Sequence, residues 1–385
     1  MKTKNPAAAL RGIAMAIAAA LCAPVALAQQ TARIATIAEL SGTGASAGTN
    51  FKNGVELAAK EINAAGGILG RKIELDVSDT QSNPATAKAL ATKAVDNDVV
   101  AVMGPVFSGS IVVSMAETRR AEIPNFTGGE AANITTQGNP YIFRTSFSQA
   151  TGMPKIAAYM QNGLKVKSVA IVFINNDFGK GGRDAIMKEL GARGIRVAAD
   201  ISADPGQLDF SGPALRAKQA NADALFAYLN EEESARLLRE LRKQGYDKPI
   251  VGETTIMSQK VIELAADAAN GVRGHVGLTI DAPSPAIRAF ADKYEREFKS
   301  KSDHNGIKGY VGMYVVKAVY EKVGKFDRKA FAQAIRNTCF SAREVPGLLM
   351  DLCFDDKGDI DRESFLVEVK GGKQVVTETL PRLKP

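Results

Sequence analysis

Apolar positions along the chain fall into two rhythms that alternate. Residues 34–38 form a short apolar run that reads as a strand. Residues 50–63 follow with Phe51, Val55, Ala58, Ala59 and Ile62 at helical spacing, and Gly66-Gly67 closes that segment. Residues 72–77 read as a strand. Asn83-Pro84 then opens a helix to about 95, with proline at a tolerated first-turn position. Residues 99–103 are continuously apolar, as in a strand that a parallel sheet buries on both faces. The rhythm restarts later, with strands expected at 168–174, 195–201, 224–229 and 249–252. Helices are expected between them at 180–191, 211–220 and 232–244. Strict β-α alternation requires right-handed crossovers and a parallel sheet. Two such runs predict an α/β protein of two lobes, with the extended stretch 141–146 leading from one to the other.

The last third breaks the rhythm. Residues 285–298, 309–323 and 327–337 read as successive helices, and 353–376 as short strands with turns at Lys357-Gly358 and Gly371-Gly372. These pieces do not make a third βαβ unit. They are expected to complete the two lobes, so that several chain segments cross between them and act as a hinge.

Composition narrows the function. The chain has 385 residues, 45% apolar and 24% charged, the balance of a soluble globular protein. Trp is absent and aromatics are 6%, which removes stacking platforms for nucleic acid. Residues 1–28 differ from the rest. Lys2, Lys4 and Arg11 make a basic start, 13–21 is a short apolar run, and Ala26-Leu27-Ala28 fits a cleavage site. The run is too short to span a bilayer, so the reading is a cleaved signal peptide and a free periplasmic protein. Leu21 before Cys22 argues against lipidation. Cleavage lowers the formal charge from +7 to +4, too mild and too dispersed to favour nucleic acid. Cys339 and Cys353 remain, an even count that in an oxidising compartment suggests one disulfide. Two cysteines with His275 and His304 do not make a zinc site, and no cofactor is expected.

Glycine-rich loops carry the candidate chemistry. Gly42-x-Gly44-x-x-x-Gly48 resembles a dinucleotide fingerprint, but the acidic residue expected some 20 positions on is missing, where Ala64-Ala65-Gly66-Gly67 stands. The plainer reading is a loop at the carboxyl edge of a sheet, where open α/β sheets bind ligands. Ser108 follows the third strand and opens a helix, a ready site for a carboxylate as well as a simple helix cap. Thr127 to Ala131 lies at the same edge. There Glu130 is free to pair with a ligand cation or to be solvated. No nucleophile motif accompanies either histidine, and no phosphate-loop frame occurs, so the chain is not read as an enzyme.

Residues 40–42, 54–70 and 79–84, with Gly104 to Ser108, Ile123-Pro124, Asp177 to Gly181 and Tyr310, resemble the leucine/isoleucine/valine-binding protein family. These are type I periplasmic binding proteins of ABC uptake systems, and the likeness spans roughly 31–380. It implies two flavodoxin-like lobes crossed near 146–150, 277–282 and 353–360. It implies an N-terminal lobe of 29–148 with 280–355 and a C-terminal lobe of 149–279 with 356–385. It also implies a monomer with two partners, a small-molecule ligand and a membrane permease. By resemblance, Ser108, Gly129 and Ala131 hold the ligand carboxylate and Phe178 lines the other lobe. Asn230 and Glu253, or Thr254 beside it, meet the ammonium. The chain departs from the family at Ala47, Ala131 and Phe178, each of which removes bulk or a hydroxyl. Branched-chain or related amino acids lead the expectation. A larger or aromatic carboxylate or amide is the alternative, and a sensory protein serving a membrane receptor a second one.

Overall fold

A computed structural model describes residues 31–383, so the expected signal peptide lies outside the described residues. The first sheet holds β1 (Ala32–Ala38), β2 (Ile73–Asp79), β3 (Ala101–Met103), β4 (Asn125–Thr127) and β5 (Ile142–Arg144). Its order is β2-β1-β3-β4-β5, and every pair is parallel. Helices α1 (Ala45–Ala64), α2 (Pro84–Asp96) and α3 (Ser108–Arg120) make the crossovers. The helical stripe of α1 is buried as its spacing requires, from Phe51 through Val55 and Ala58 to Ile62. Asn83 caps α2 by accepting from the Ala85 and Thr86 N–H groups, and Pro84 sits in the first turn.

The second sheet holds β6 (Ser168–Ile174), β7 (Arg196–Ala203), β8 (Ala224–Tyr228), β9 (Ile250–Glu253) and β10 (Arg273–Val276). Helices α4 (Gln149–Ala158), α5 (Asp177–Ala192), α6 (Ser211–Gln219), α7 (Glu231–Lys243) and α8 (Gln259–Ala265) accompany it. The C-terminal strands β14 (Ser364–Lys370) and β15 (Lys373–Leu380) extend it antiparallel beyond β10. Helices α9 (Pro285–Phe298), α10 (His304–Val323) and α11 (Arg328–Ile335) return toward the first sheet, where α10 packs along α1. The contact is close because it is made by glycines: a Cβ on Gly54 would lie 2.0 Å from the Gly306 carbonyl oxygen.

A small antiparallel sheet of β11 (Cys339–Phe340), β12 (Leu352–Phe354) and β13 (Ile360–Asp361) contains the Cys339–Cys353 disulfide. The chain passes between the two large sheets three times: after Arg144, after Val276 and after Asp361. The third passage follows the 353–360 stretch because the β12–β13 hairpin first docks on β5, where the Arg144 N–H donates to the Gly358 carbonyl at 3.1 Å.

Several elements start earlier than periodicity suggested. α1 begins at Ala45 rather than 50, where Gly48 packs on Glu39: a Cβ there would lie 2.1 Å from the Glu39 carbonyl oxygen. α10 begins at His304 rather than 309 because Asp303 caps it, accepting from Asn305 and Gly306 N–H. No described helix is long and apolar enough to cross a membrane.

Candidate functional site

Both large sheets turn their carboxyl edges toward one cavity of about 240 Å³. The β3–α3 loop enters it first. Glu39, fully buried at the end of β1, accepts from the Val106 and Phe107 N–H groups at 3.0 and 3.2 Å and so fixes this loop. Burial pushes the Glu39 carboxyl above its usual range, and those backbone donors pull it back. Ser108 then opens α3 at the cavity wall, 2% exposed, where first-turn N–H groups and the helix dipole favour an anion. No side chain caps α3.

The β4–β5 loop forms the adjoining wall. The Ala131 N–H donates to Ser108 Oγ at 3.3 Å. Gly129 fits only without a side chain, since a Cβ would come within 2.3 Å of Ile111 Cδ1. Buried Arg144 fastens the loop from behind. Its guanidinium donates to the Gly129 and Ala131 carbonyls at 3.1 Å each and pairs with Asp359. The opposite wall comes from the second sheet. Asn176 caps α5 and presents Phe178, whose ring stacks on Tyr228 with centroids 4.2 Å apart. Asn230 and Glu231 open α7, and Thr255 follows β9. His304, Asn305 and Lys308 of α10 close the cavity.

Ionisable groups cluster in and just behind the cavity wall. Lys308 donates to Glu130 Oε1 at 3.1 Å and to the Gly128 carbonyl at 3.2 Å. The Tyr228 hydroxyl donates to Glu130 Oε2 at 3.3 Å, so this carboxyl links β8 to the β4–β5 loop. Burial pushes Glu130 up to about 7, with Lys308 opposing and Glu253 adding to the rise. Glu231 is pushed up to about 8 by burial and then by Asp303, and burial carries Asp303 itself to about 6. Burial, then the Lys308 charge, holds His304 neutral, far below its usual range.

Of the residues expected at the site, Ala47, Ser108, Gly129, Glu130, Phe178 and Asn230 line the cavity together. Ala131 stands behind it and acts through its N–H on Ser108. Glu253 and Thr254 do not line it. The Glu253 carboxyl turns back, accepting the Thr254 N–H at 2.6 Å and lying 2.9 Å from His275 Nδ1, while Thr255 takes the wall position. Burial pushes Glu253 up to about 7. Burial, and after it Lys155, lowers His275 to about 3. Sequence reasoning missed Glu231, His304, Asn305 and Lys308. Glu231 reads as an ordinary first-turn acid. The His304-x-x-x-Lys308 spacing, which puts both on one helix face, was hidden by placing the helix start at 309.

The family described as periplasmic binding protein matches residues 31–374. The chain belongs to that family. Among periplasmic binding proteins, it is 30% identical over 365 residues to the Leu/Ile/Val-binding protein BraC3 of Rhizobium johnstonii, covering 94% of this chain and 97% of that one. It also superposes on the branched-chain amino acid transporter substrate-binding protein LivJ of Streptococcus pneumoniae, solved with isoleucine. There the identity is 25% and the TM-score 0.82, over 92% of this chain and 100% of that one. A solute-binding protein of Rhodopseudomonas palustris BisB5, solved with 3,4-dihydroxybenzoic acid, shares the fold at 23% identity and a TM-score of 0.84, over 92% and 98% of the two chains. The fold is therefore that of type I periplasmic binding proteins, two α/β lobes with the cavity between their sheets.

Proposed function

We propose that the chain is the periplasmic binding component of an ABC uptake system and holds an amino acid between its lobes without altering it. The two lobes, one around each large sheet, would move about the three chain passages and close on the ligand. The supporting observation is the pairing of opposite poles in one buried cavity. The uncapped start of α3 at Ser108 offers donors to a carboxylate, while acidic side chains face it from the β4–β5 loop and α7. A Leu/Ile/Val-binding relative spanning nearly the whole chain points the same way.

The test is a thermal-shift screen of the purified protein against amino acids, aromatic acids and amides. A ligand at 100 times its Kd stabilises the native state by about 2.7 kcal/mol. Ser108→Ala should weaken the active compound about tenfold or more, through loss of a hydrogen bond to a charged group, while folding normally. Shifts from aromatic acids alone would overturn the amino-acid reading, and full affinity in Ser108→Ala would remove Ser108 from the site.

A further inference from the structure

The charge balance inside the cavity carries the amino-acid reading, on which this inference rests, to a specific residue. Ser108 and the first-turn N–H groups of α3 form the anionic pole's receptor. Lys308 is already committed, since it donates to Glu130 and to the Gly128 carbonyl. Glu253, the acid expected from resemblance to receive a ligand ammonium, does not line the cavity: its carboxyl accepts from Thr254, lies against His275 and meets Glu130 behind the wall. Glu231 is different. It is 4% exposed and lines the cavity. Among the described residues its carboxyl has no hydrogen-bond partner beyond its own backbone N–H. The preceding residue, Asn230, is 5% exposed and also lines the cavity, and its Nδ2 donor has no partner. A buried donor with no partner and a carboxyl bonded only by its own backbone N–H therefore stand side by side at the start of α7. Buried polar groups left in this state cost stability unless a ligand completes them.

We propose that Glu231 receives the ligand's cationic nitrogen while Asn230 donates to a ligand oxygen, so that the site selects net-neutral ammonium carboxylates over plain carboxylic acids. The surroundings support a cation there. Asp303 at the cap of α10 and Lys308 within it act on Glu231, His304 lines the cavity between them, and Glu232 stands beside it with Lys260 and Arg236 acting on it. Farther in lie Glu130 with Tyr228 of β8, and Glu253 of β9 with His275 of β10 and Lys155 of α4. Both histidines are held neutral, and Lys308 is shared among several carboxyls. A ligand ammonium beside Glu231 therefore meets no charged histidine, and the Lys308 ammonium is held by Glu130 and the Gly128 carbonyl.

A chemical consequence follows. The free carboxyl, pushed up to about 8, carries its proton at neutral pH. An ammonium at hydrogen-bond distance favours the ionised form. The Glu231 O–H proton then leaves to solvent as the carboxylate pairs with the ammonium, and no covalent bond to the ligand changes. Binding at pH 7 releases about one proton and tightens as pH rises from 6 to 8.

The experiment is isothermal titration calorimetry at pH 7 in phosphate and in Tris. The probes are three pairs that differ only by the ammonium: L-leucine with 4-methylpentanoate, L-phenylalanine with 3-phenylpropanoate, and L-alanine with propanoate. In the native protein the amino acid of the best-bound pair should bind about tenfold or more tighter than its partner, with an enthalpy that depends on the buffer. Glu231→Gln should bring the pair within about threefold of each other and abolish the buffer dependence. Glu231→Asp should restore part of both, which guards against a folding defect in the glutamine variant. Ser108→Ala should weaken both members of the pair equally. An amino acid that binds Glu231→Gln as well as the native protein overturns this proposal alone, as does a buffer-independent enthalpy. If no compound of any pair binds, the amino-acid reading falls and this proposal with it.

Discussion

Replacing Lys308 by methionine keeps the unbranched stem and removes the ammonium that donates to Glu130 and to the Gly128 carbonyl. The cost depends on what Glu130 does next. A buried carboxylate stripped of its partner costs about 3–5 kcal/mol if it stays charged. Glu130 has a cheaper route, because burial already holds it at about 7 with the lysine present, and without the lysine it rises further. At pH 8.5 the variant must protonate this carboxyl, about 1.5 units above that value, which costs about 2 kcal/mol. The two lost hydrogen bonds add about 0.5–1.5 kcal/mol each. The total is about 3–5 kcal/mol at pH 8.5. At pH 6 Glu130 already carries its proton, and only the hydrogen bonds are lost, about 1–3 kcal/mol. Urea unfolding followed by circular dichroism at the two pH values measures both losses, provided the denaturant slope is unchanged. A loss of the same size at pH 6 and pH 8.5 would refute the reasoning, since Lys308 would then not be countering the Glu130 charge.

The ligand-free protein should itself grow more stable as pH falls from 8.5 to 6. Glu231, Glu130 and Glu253 titrate in the folded state well above their unfolded value of 4.5, so the folded chain binds more protons over that interval. The depressed His275 and His304 both oppose this as pH falls toward and below 6.5, where their unfolded forms charge. A melting temperature that rises with pH between 6 and 8.5 would contradict the burial of these carboxyls. Replacing Cys339 and Cys353 by serine opens a loop with a sequence separation of 14. It should cost about 3 kcal/mol in the chain-entropy picture. Neither cysteine lines the cavity, so ligand affinity should stay unchanged, and a large loss of binding would show that the small sheet shapes the site.

Most of the fold was legible because the signals were local. The buried stripe of α1, the Asn83-Pro84 start of α2 and the continuous apolar strands each announce their own structure. Where expectation missed, tertiary contact decided. Gly48 reads as a loop glycine until Glu39 is packed against it, and the helix then starts at Ala45. The first wall of the candidate site was equally legible, since Gly129 lies just after β4 and Ser108 opens the helix that follows β3. The second wall was not. Whether Glu253 or Glu231 lines the cavity depends on a side chain turning toward His275, a residue on a neighbouring strand, and no local pattern records that choice. Lys308 was hidden for a related reason: its meaning comes from Glu130, far away in sequence.

The packing of α10 on α1 has a consequence for how the chain is made. The helix that covers the first sheet meets its partner only after residue 304 has been synthesised. Until then Phe51 and Val55 have no lid, and the glycine seam between the two helices cannot close. Folding of the first-formed region is thus deferred almost to the end of translation, because its contacts span most of the chain. A chain whose opening segment cannot finish folding early stays short of its native packing for most of its synthesis.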